Sequence, residues 1–214
     1  MTLEIVKCSL RAMRSYRQYC SFARGLDIVG DRWILLIVRE LLQGPRRYNE
    51  LLHGLPGIAT NLLAERLQDL VEAGVLERGT NHTYVLTAWG EGLRDVIHSL
   101  GRWARPLMGR MERDDEFRSH WLIHPIHVLY EGVDRRRPRL TVEVDTADAP
   151  MTLESANGRV RVVPGRHPSP DVVLSGPPDG IIGLLAGKRD RPAVAKVTVK
   201  GDARKIDSLR PHPV

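Results

Sequence analysis

The stretch that decides the fold runs from Gly44 to Leu86: GPRRYNELLHGLPGIATNLLAERLQDLVEAGVLERGTNHTYVL. Its first part reads as a short helix over roughly Tyr48–His53, closed by a turn at Leu55-Pro-Gly57. A second helix is expected from Thr60 to Glu72, because Leu62, Leu63, Leu67, Leu70 and Val71 recur at helical spacing, with Gly74 standing where a terminating glycine belongs. Val75–Arg78 and Thr83–Leu86 then read as two short strands around the tip Gly79-Thr-Asn-His82. Helix, turn, helix and basic hairpin in that order make a winged helix-turn-helix, which sets one helix in the major groove and a wing on the flanking backbone.

Working outward, residues 25–42 are helical in pattern. Asp31 lies near the start of DRWILLIVRELL, and Trp33, Ile34, Ile37 and Leu41 form an apolar stripe that Gly44-Pro45 stops. Residues 1–24 read as a polar arm carrying Lys7, Arg11, Arg14, Arg17 and Arg24. On the other side, Thr87 is placed to cap a last helix reaching about Arg110, weakened at Gly101 and kinked at Pro106. Its Leu93, Val96, Ile97, Leu100 and Trp103 are more apolar surface than a domain of this size covers from inside, so part of it is expected at a twofold interface.

Past Asp134 the character changes. LTVEVDT, MTLES, GRVRVVPG and DVVLSG are short strands punctuated by Gly, Pro and Asn. Residues 178–187 read as a short helix, 194–199 as another strand, and KGDARKIDSL as a turn with a terminal helix. The expected class is therefore α+β: a winged helix-turn-helix domain over 1–111, a linker or connecting helix over 112–136, and a small α+β domain over 137–214.

Composition narrows the function. There are 32 Lys and Arg against 26 Asp and Glu, a formal charge of +6, which favours polyanion binding. Aromatic residues are only 5%, too few for a single-strand stacking platform. The longest apolar run, Trp33–Val38, is too short to span a membrane, and the start lacks a signal core, so the chain reads as cytoplasmic with no membrane partner. Nothing resembles a catalytic set. His120, His124 and His127 would share a helical face, but Pro125 interrupts it and no cysteine completes a metal set. GLLAGK lacks the spacing of a phosphate loop. No enzyme activity, metal or cofactor is expected.

The candidate DNA-binding residues follow from position. Thr60, Asn61, Ala64 and Glu65 occupy the first exposed turns of the second helix, where side chains reach base edges. Arg66 sits at the groove margin. Arg46 and Arg47 precede the supporting helix and Arg78 and His82 belong to the wing, all suited to phosphates. The bland alternative is an amphipathic core helix with solvated arginines around it.

The segment CSFARGLDIVGDRWILLIVRELLQGPRRYNELLHGLPGIATNLLAERLQDLVEAGVLER, followed by YVLTAWGEGL, resembles the HxlR family of bacterial winged-helix transcriptional regulators, relatives of the MarR type. GDRW, GPRRYNEL, the LPGI turn, NLLAERL and the LT-x-x-G close occur in order over about residues 20–105. The resemblance implies a homodimer on pseudo-palindromic double-stranded DNA, with 60–72 as the recognition helix and dimer contacts from N- and C-terminal helices. The family usually caps that helix with Ser, where this chain has Ala59, so Thr60 is the substitute cap on offer. The family also commonly carries a cysteine where Cys20 stands, and some members sense oxidants or electrophiles there. Arg17 and Arg24 are near in sequence and Cys8 is a conceivable resolving partner, while Phe22 and Ala23 argue instead for a buried, inert thiol.

The second half resembles sterol-carrier (SCP2-like) domains in LTVEVDTADAPMTLE, DVVLSGPPDGIIGLLAGK and VKGDARKIDSL. That family packs a small sheet against helices around an apolar tunnel. Ile181, Ile182, Leu184 and Leu185 are then either the lining of an apolar ligand cavity or plain core. The sequence as a whole reads as a homodimeric, sequence-specific regulator controlled by an apolar small molecule; a thiol switch through Cys20 and a lipid-binding protein are the alternatives.

Overall fold

In the computed structural model the described residues are 15–108, 111–112, 114–132, 134 and 136–209. The chain divides between Ser99 and Leu100 into two units.

The first unit begins with α1 (Ser21–Val29) and α2 (Ile34–Leu41), separated where the sequence pattern ran on as one helical stretch. Gly30 closes α1 by donating to the Leu26 carbonyl, and Trp33 stands ahead of α2 in the left-handed region at φ 81°. That conformation takes Trp33 off the helix stripe and sends its ring toward Gly57, where an added Cβ would meet the indole at 3.8 Å. Ile34, Ile37, Val38 and Leu41 of α2 are buried at three- and four-residue spacing.

β1 (Arg46–Arg47) leads into α3 (Tyr48–Gly54), and α4 (Thr60–Glu72) follows the Pro-Gly turn over the expected residues. Leu63, Leu67 and Leu70 turn inward to join Ile37, Leu41 and Leu51 in one apolar cluster. Gly74, at φ +74°, ends α4, with Val75 donating to the Leu70 carbonyl at 2.9 Å and Gly74 to that of Val71 at 3.0 Å. β2 (Leu76–Arg78) and β3 (Thr83–Leu86) form the expected hairpin, and β1 adds to it in the order β1-β3-β2. Thr87 accepts the Gly90 N–H at 3.1 Å and donates to the Gly74 carbonyl at 2.8 Å. A Cβ on Gly90 would sit 2.2 Å from the Val75 carbonyl oxygen, so only glycine permits that approach. Here the expected long helix is broken into α5 (Ala88–Glu91) and α6 (Leu93–Ala104), with a 3-10 turn over Arg105–Leu107 at Pro106; Arg110 lies outside the described residues.

In the second unit a 3-10 turn, Ser119–Leu122, runs into α7 (Ile123–Leu129). The sequence reads this segment as linker or connecting helix, yet Leu122, Ile123, Ile126 and Tyr130 are part of the unit's core. Pro125 does not break α7, because it falls in the first turn, where its missing N–H costs no helical bond. β4 (Leu140–Asp145), β5 (Met151–Ala156), β6 (Arg159–Pro164), β7 (Val172–Ser175) and β8 (Thr198–Gly201) form one sheet in the order β6-β5-β4-β7-β8. β4 and β7 are parallel, with Val142 opposite Val172; the other pairs are antiparallel. Alternation puts Leu140, Val142, Val144, Leu153 and Leu174 into the core with α8 (Pro178–Leu185) and α9 (Arg204–Asp207). On the opposite face Glu143 is buried beneath an ion pair with Arg166.

The last strand differs from expectation. Val194–Lys196 is a 3-10 turn and the strand starts at Thr198. Gly180 explains the shift: a Cβ there would stand 2.3 Å from the Ala193 carbonyl oxygen, so α8 lies against the backbone where pairing was expected. N-terminal α-helical winged module followed by a mixed α/β region is thus the architecture.

Candidate nucleic-acid interface

The exposed start of α4 carries Thr60, Asn61, Ala64 and Glu65, all facing solvent. Ala59 is the N-cap, extended at φ −71° and ψ 143°, with no side-chain cap. Thr60 does not take over that role: it is the first helical residue, and its hydroxyl donates to the Asn61 side-chain oxygen at 3.3 Å. The amides of the first turn are therefore uncapped by side chains, at the positive end of the helix dipole. Tyr48 was not singled out by sequence, which holds no signal for it. Its hydroxyl donates to the Thr60 carbonyl at 2.7 Å and ties α3 to the start of α4.

Arg47 is exposed and Arg46 half-buried. Their strand is fixed by pairing Arg46 with Tyr84 and Arg47 with Thr83, and by the Glu50 carboxylate, which accepts the Arg47 backbone N–H at 2.6 Å. Arg78, across the hairpin from Tyr84, lays its guanidinium over that ring at 5.4 Å. His82 sits exposed at the tip with φ 58°, next to Asn81 at φ 55°. Arg66 departs from its expected role at the groove margin. Its guanidinium contacts Asp31 at 3.1 Å, Glu65 at 2.8 Å and Asp69 at 3.0 Å, so it is engaged within the protein.

The residues expected at a twofold interface separate into two sets. Leu93 and Ile97 are half-buried against the first unit's core. Val96, Leu100 and Trp103 are exposed, Trp103 at 75%. Tyr16, Tyr19 and Phe22 are exposed as well.

Cys20 is a free, exposed thiol at the N-cap of α1, not the buried small hydrophobe that Phe22 and Ala23 argued for. Ala23 turns inward, but Phe22 faces solvent. Arg24 is directed elsewhere, to Asp27 at 3.4 Å and Ser15 at 3.1 Å. Asp27 is buried and accepts the Tyr16 backbone N–H at 2.8 Å and the Ser15 hydroxyl at 2.9 Å. That backbone bond, outweighing burial, holds its carboxyl below the ordinary carboxylate range. Lys7, Cys8, Arg11 and Arg14 lie outside the described residues.

Ile181, Leu184 and Leu185 are buried in the second unit's core, with Ile182 packed partly exposed against it. Among the described residues no three His, Cys, Asp or Glu side chains are grouped to hold a metal ion. No helix among them is long and apolar enough to cross a membrane.

Comparison with known proteins agrees with the first unit. The profile of the family described as HxlR-like helix-turn-helix matches residues 28–112. The chain is 34% identical over 89 residues to the uncharacterised HTH-type transcriptional regulator YvaP of Bacillus subtilis, covering 39% of this chain and 82% of YvaP. It is 39% identical over 98 residues to the uncharacterised regulator Rv3095 of Mycobacterium tuberculosis, covering 43% of this chain and 61% of that one. HTH-type transcriptional regulator YodB of B. subtilis is 34% identical over 84 residues, 36% of this chain and 75% of YodB. The solved structure of quinone-bound YodB aligns at 32% identity over 40% of this chain and 97% of that chain, with a TM-score of 0.38. These relatives are transcriptional regulators and not enzymes, in keeping with the sequence reading. With its winged module and these relatives together, the chain belongs to the HxlR-like helix-turn-helix family of DNA-binding transcriptional regulators.

Proposed function

We propose that this regulator binds a pseudo-palindromic duplex as a homodimer and that covalent modification of Cys20 controls the binding. The first unit together with α6 does the DNA binding and dimerisation, and the second unit, whose core includes Leu122, Ile123, Ile126 and Tyr130, forms an accessory domain. Thr60, Asn61, Ala64 and Glu65 meet base edges, and the uncapped first turn of α4 offers its amides to a phosphate. Arg46, Arg47, Arg78 and His82 take flanking phosphates. Arg66 holds the helix in register through its carboxylate partners. Val96, Leu100 and Trp103 on α6, and separately Tyr16, Tyr19 and Phe22, supply exposed apolar side chains for a second copy.

The observation that carries the thiol reading is the exposure of Cys20 beside that same aromatic surface. The relative YodB has been solved bound to a quinone. At Cys20 the sulfur would add to a ring carbon of a quinone. The C–S bond forms as the ring C=C electrons shift to one carbonyl oxygen, which takes the thiol proton through solvent. The hydrogen on the attacked carbon then passes as a proton to the other oxygen, leaving a hydroquinone thioether. A bulky adduct between exposed Tyr19 and Phe22 would alter the dimer and hence the spacing of the two recognition helices.

The reading in which an apolar effector occupies the second domain is less well supported. Burial of Ile181, Leu184 and Leu185 favours plain core. A small sheet with helices on its apolar face is in keeping with a sterol-carrier-like origin, and that architecture is its only support.

The test is duplex binding, using DNA from upstream of the regulator's own gene. Wild type and Cys20→Ser are compared with and without p-benzoquinone. Wild type should lose at least about tenfold in affinity on treatment, equivalent to about 1.4 kcal/mol, and Cys20→Ser should keep its affinity. Equal responses of the two proteins would remove Cys20 as the sensor.

A further inference from the structure

Arg137, in the second unit, is only 5% exposed. Its Nη1 donates to three backbone carbonyls, of Tyr130 at 3.0 Å, Gly158 at 3.2 Å and Gly132 at 3.3 Å. The guanidinium also lies 5.5 Å from the centre of the Tyr130 ring. That ring is itself fixed, because the Tyr130 hydroxyl donates to the Leu185 carbonyl at 3.0 Å. These hydrogen bonds that orient the group are all made by Nη1, and the Tyr130 ring adds a contact on its face.

Nε and Nη2 are both buried and have no hydrogen-bond partner among the described residues. These two nitrogens form the edge of a guanidinium on which two N–H bonds run parallel, the fork that matches the two oxygens of a carboxylate. The acidic residues nearest in sequence are engaged by other arginines. Both oxygens of Asp134 bond Arg136, at 3.1 and 3.3 Å, and Glu131 pairs with Arg102 at 2.5 Å. A guanidinium keeps its charge even when buried, and a buried charge with no counter-ion is strongly unfavourable. Buried N–H groups in folded proteins are otherwise almost always satisfied.

We propose that the Nε–Nη2 edge of Arg137 is a binding site for the carboxylate of a small organic acid. One negative charge neutralises one buried guanidinium, and two oxygens satisfy the two orphaned nitrogens. A phosphate fits less well, since it brings further oxygens and further charge to an edge that offers two N–H vectors. Three carbonyls and a pinned ring already hold the guanidinium, so binding need not order Arg137 itself. This inference is independent of Cys20 and of the DNA-binding surface.

The full-length protein, labelled with 15N-arginine, tests it directly. The Arg137 Nε–Hε signal, assigned by its loss in Arg137→Lys, is followed as acetate and then benzoate are added at constant pH and ionic strength, against chloride and inorganic phosphate. The expected result is a saturable shift with acetate or benzoate and none with chloride, together with a saturable rise in thermal midpoint that Arg137→Gln abolishes. Should Arg137→Gln fail to fold, the wild-type titration decides alone. Absence of a saturable shift with both carboxylates would overturn the site and leave Arg137 a hydrated structural residue. A phosphate response at lower concentration than either carboxylate would overturn the ligand class.

Discussion

Arg66 on α4 stands 3.1 Å from Asp31, in the turn between α1 and α2. Trp33, two residues further along, reaches Gly57 in the turn before α4. One short segment therefore touches α4 through charge and its leading turn through packing. The geometry explains why a left-handed tryptophan is tolerated there: the conformation that strains Trp33 brings its ring to Gly57.

The first prediction tests that tie. Asp31 is 64% exposed at its side chain and Arg66 17%, so solvent screens the pair and its worth is about 1 kcal/mol or less. A double-mutant cycle with Asp31→Ala and Arg66→Gln should give a coupling of that size at low salt, falling toward zero at high salt. A coupling unchanged by salt would show packing rather than charge.

Discrimination should reside at the start of α4. Asn61→Ala should reduce preference for the operator over mismatched duplexes by about 1–3 kcal/mol. Arg46→Ala should weaken all duplexes alike and lower the log–log salt slope by about one unit. Binding titrations on specific and random DNA at several salt concentrations check both; an unchanged ratio for Asn61→Ala would remove it from base readout.

Placing a carboxylate in the exposed apolar surface of α6 should separate the protomers. Leu100→Asp is expected to give a single-chain mass by light scattering at micromolar concentration, with loss of tight operator binding. Wild type already monomeric at that concentration would refute the dimer.

Acid should release the segment before α1. The folded-state carboxyl of Asp27 is lowered from its ordinary value of 3.8, chiefly by the Tyr16 amide. Its contribution is therefore fully present above about pH 4 and disappears as pH falls through the depressed folded value. Hydrogen exchange at the Tyr16 amide, corrected for its intrinsic rate, should lose protection over that acidic window. Asp27→Asn should lack the pH dependence.

In the second unit Leu184→Trp separates core from cavity. In a packed core it should destabilise by roughly 1–3 kcal/mol, seen as a lower thermal midpoint with or without added fatty acids or sterols. A midpoint that holds in Leu184→Trp, with a wild-type midpoint raised by such ligands, would restore the cavity.

Elements with a strong period were readable from sequence. The leucines of α4 and the glycine after it marked both ends of that helix, and the hairpin followed from two short apolar runs around a polar tip. β1 was not readable, because two adjacent arginines carry no period, and it exists through pairing with Tyr84 and Thr83. Cys20 defied its neighbours because a helix start sends Ala23 inward and Phe22 outward, a division two adjacent apolar letters do not encode. Residues 119–130 looked like a linker because histidines and Pro125 hide the burial of Leu122, Ile123 and Ile126. Arg137 lay inside the basic run Arg135-Arg-Arg-Pro-Arg139, where charge composition points to solvent. Its burial depends on carbonyls from Tyr130, Gly132 and Gly158, a convergence that only the folded chain creates.

The order of the five-stranded sheet also decides how the protein behaves in a crowded solution. Among the described residues β6 and β8 each pair with a strand on one side only, which makes them the edges of the sheet. β6 presents exposed Arg159 and Arg161 and ends on Pro164, while β8 is four residues long and carries exposed Lys200 and Gly201. Positive charge, a missing donor and shortness all discourage strand addition. For the homodimer proposed above, such edges keep assembly from continuing through the sheet.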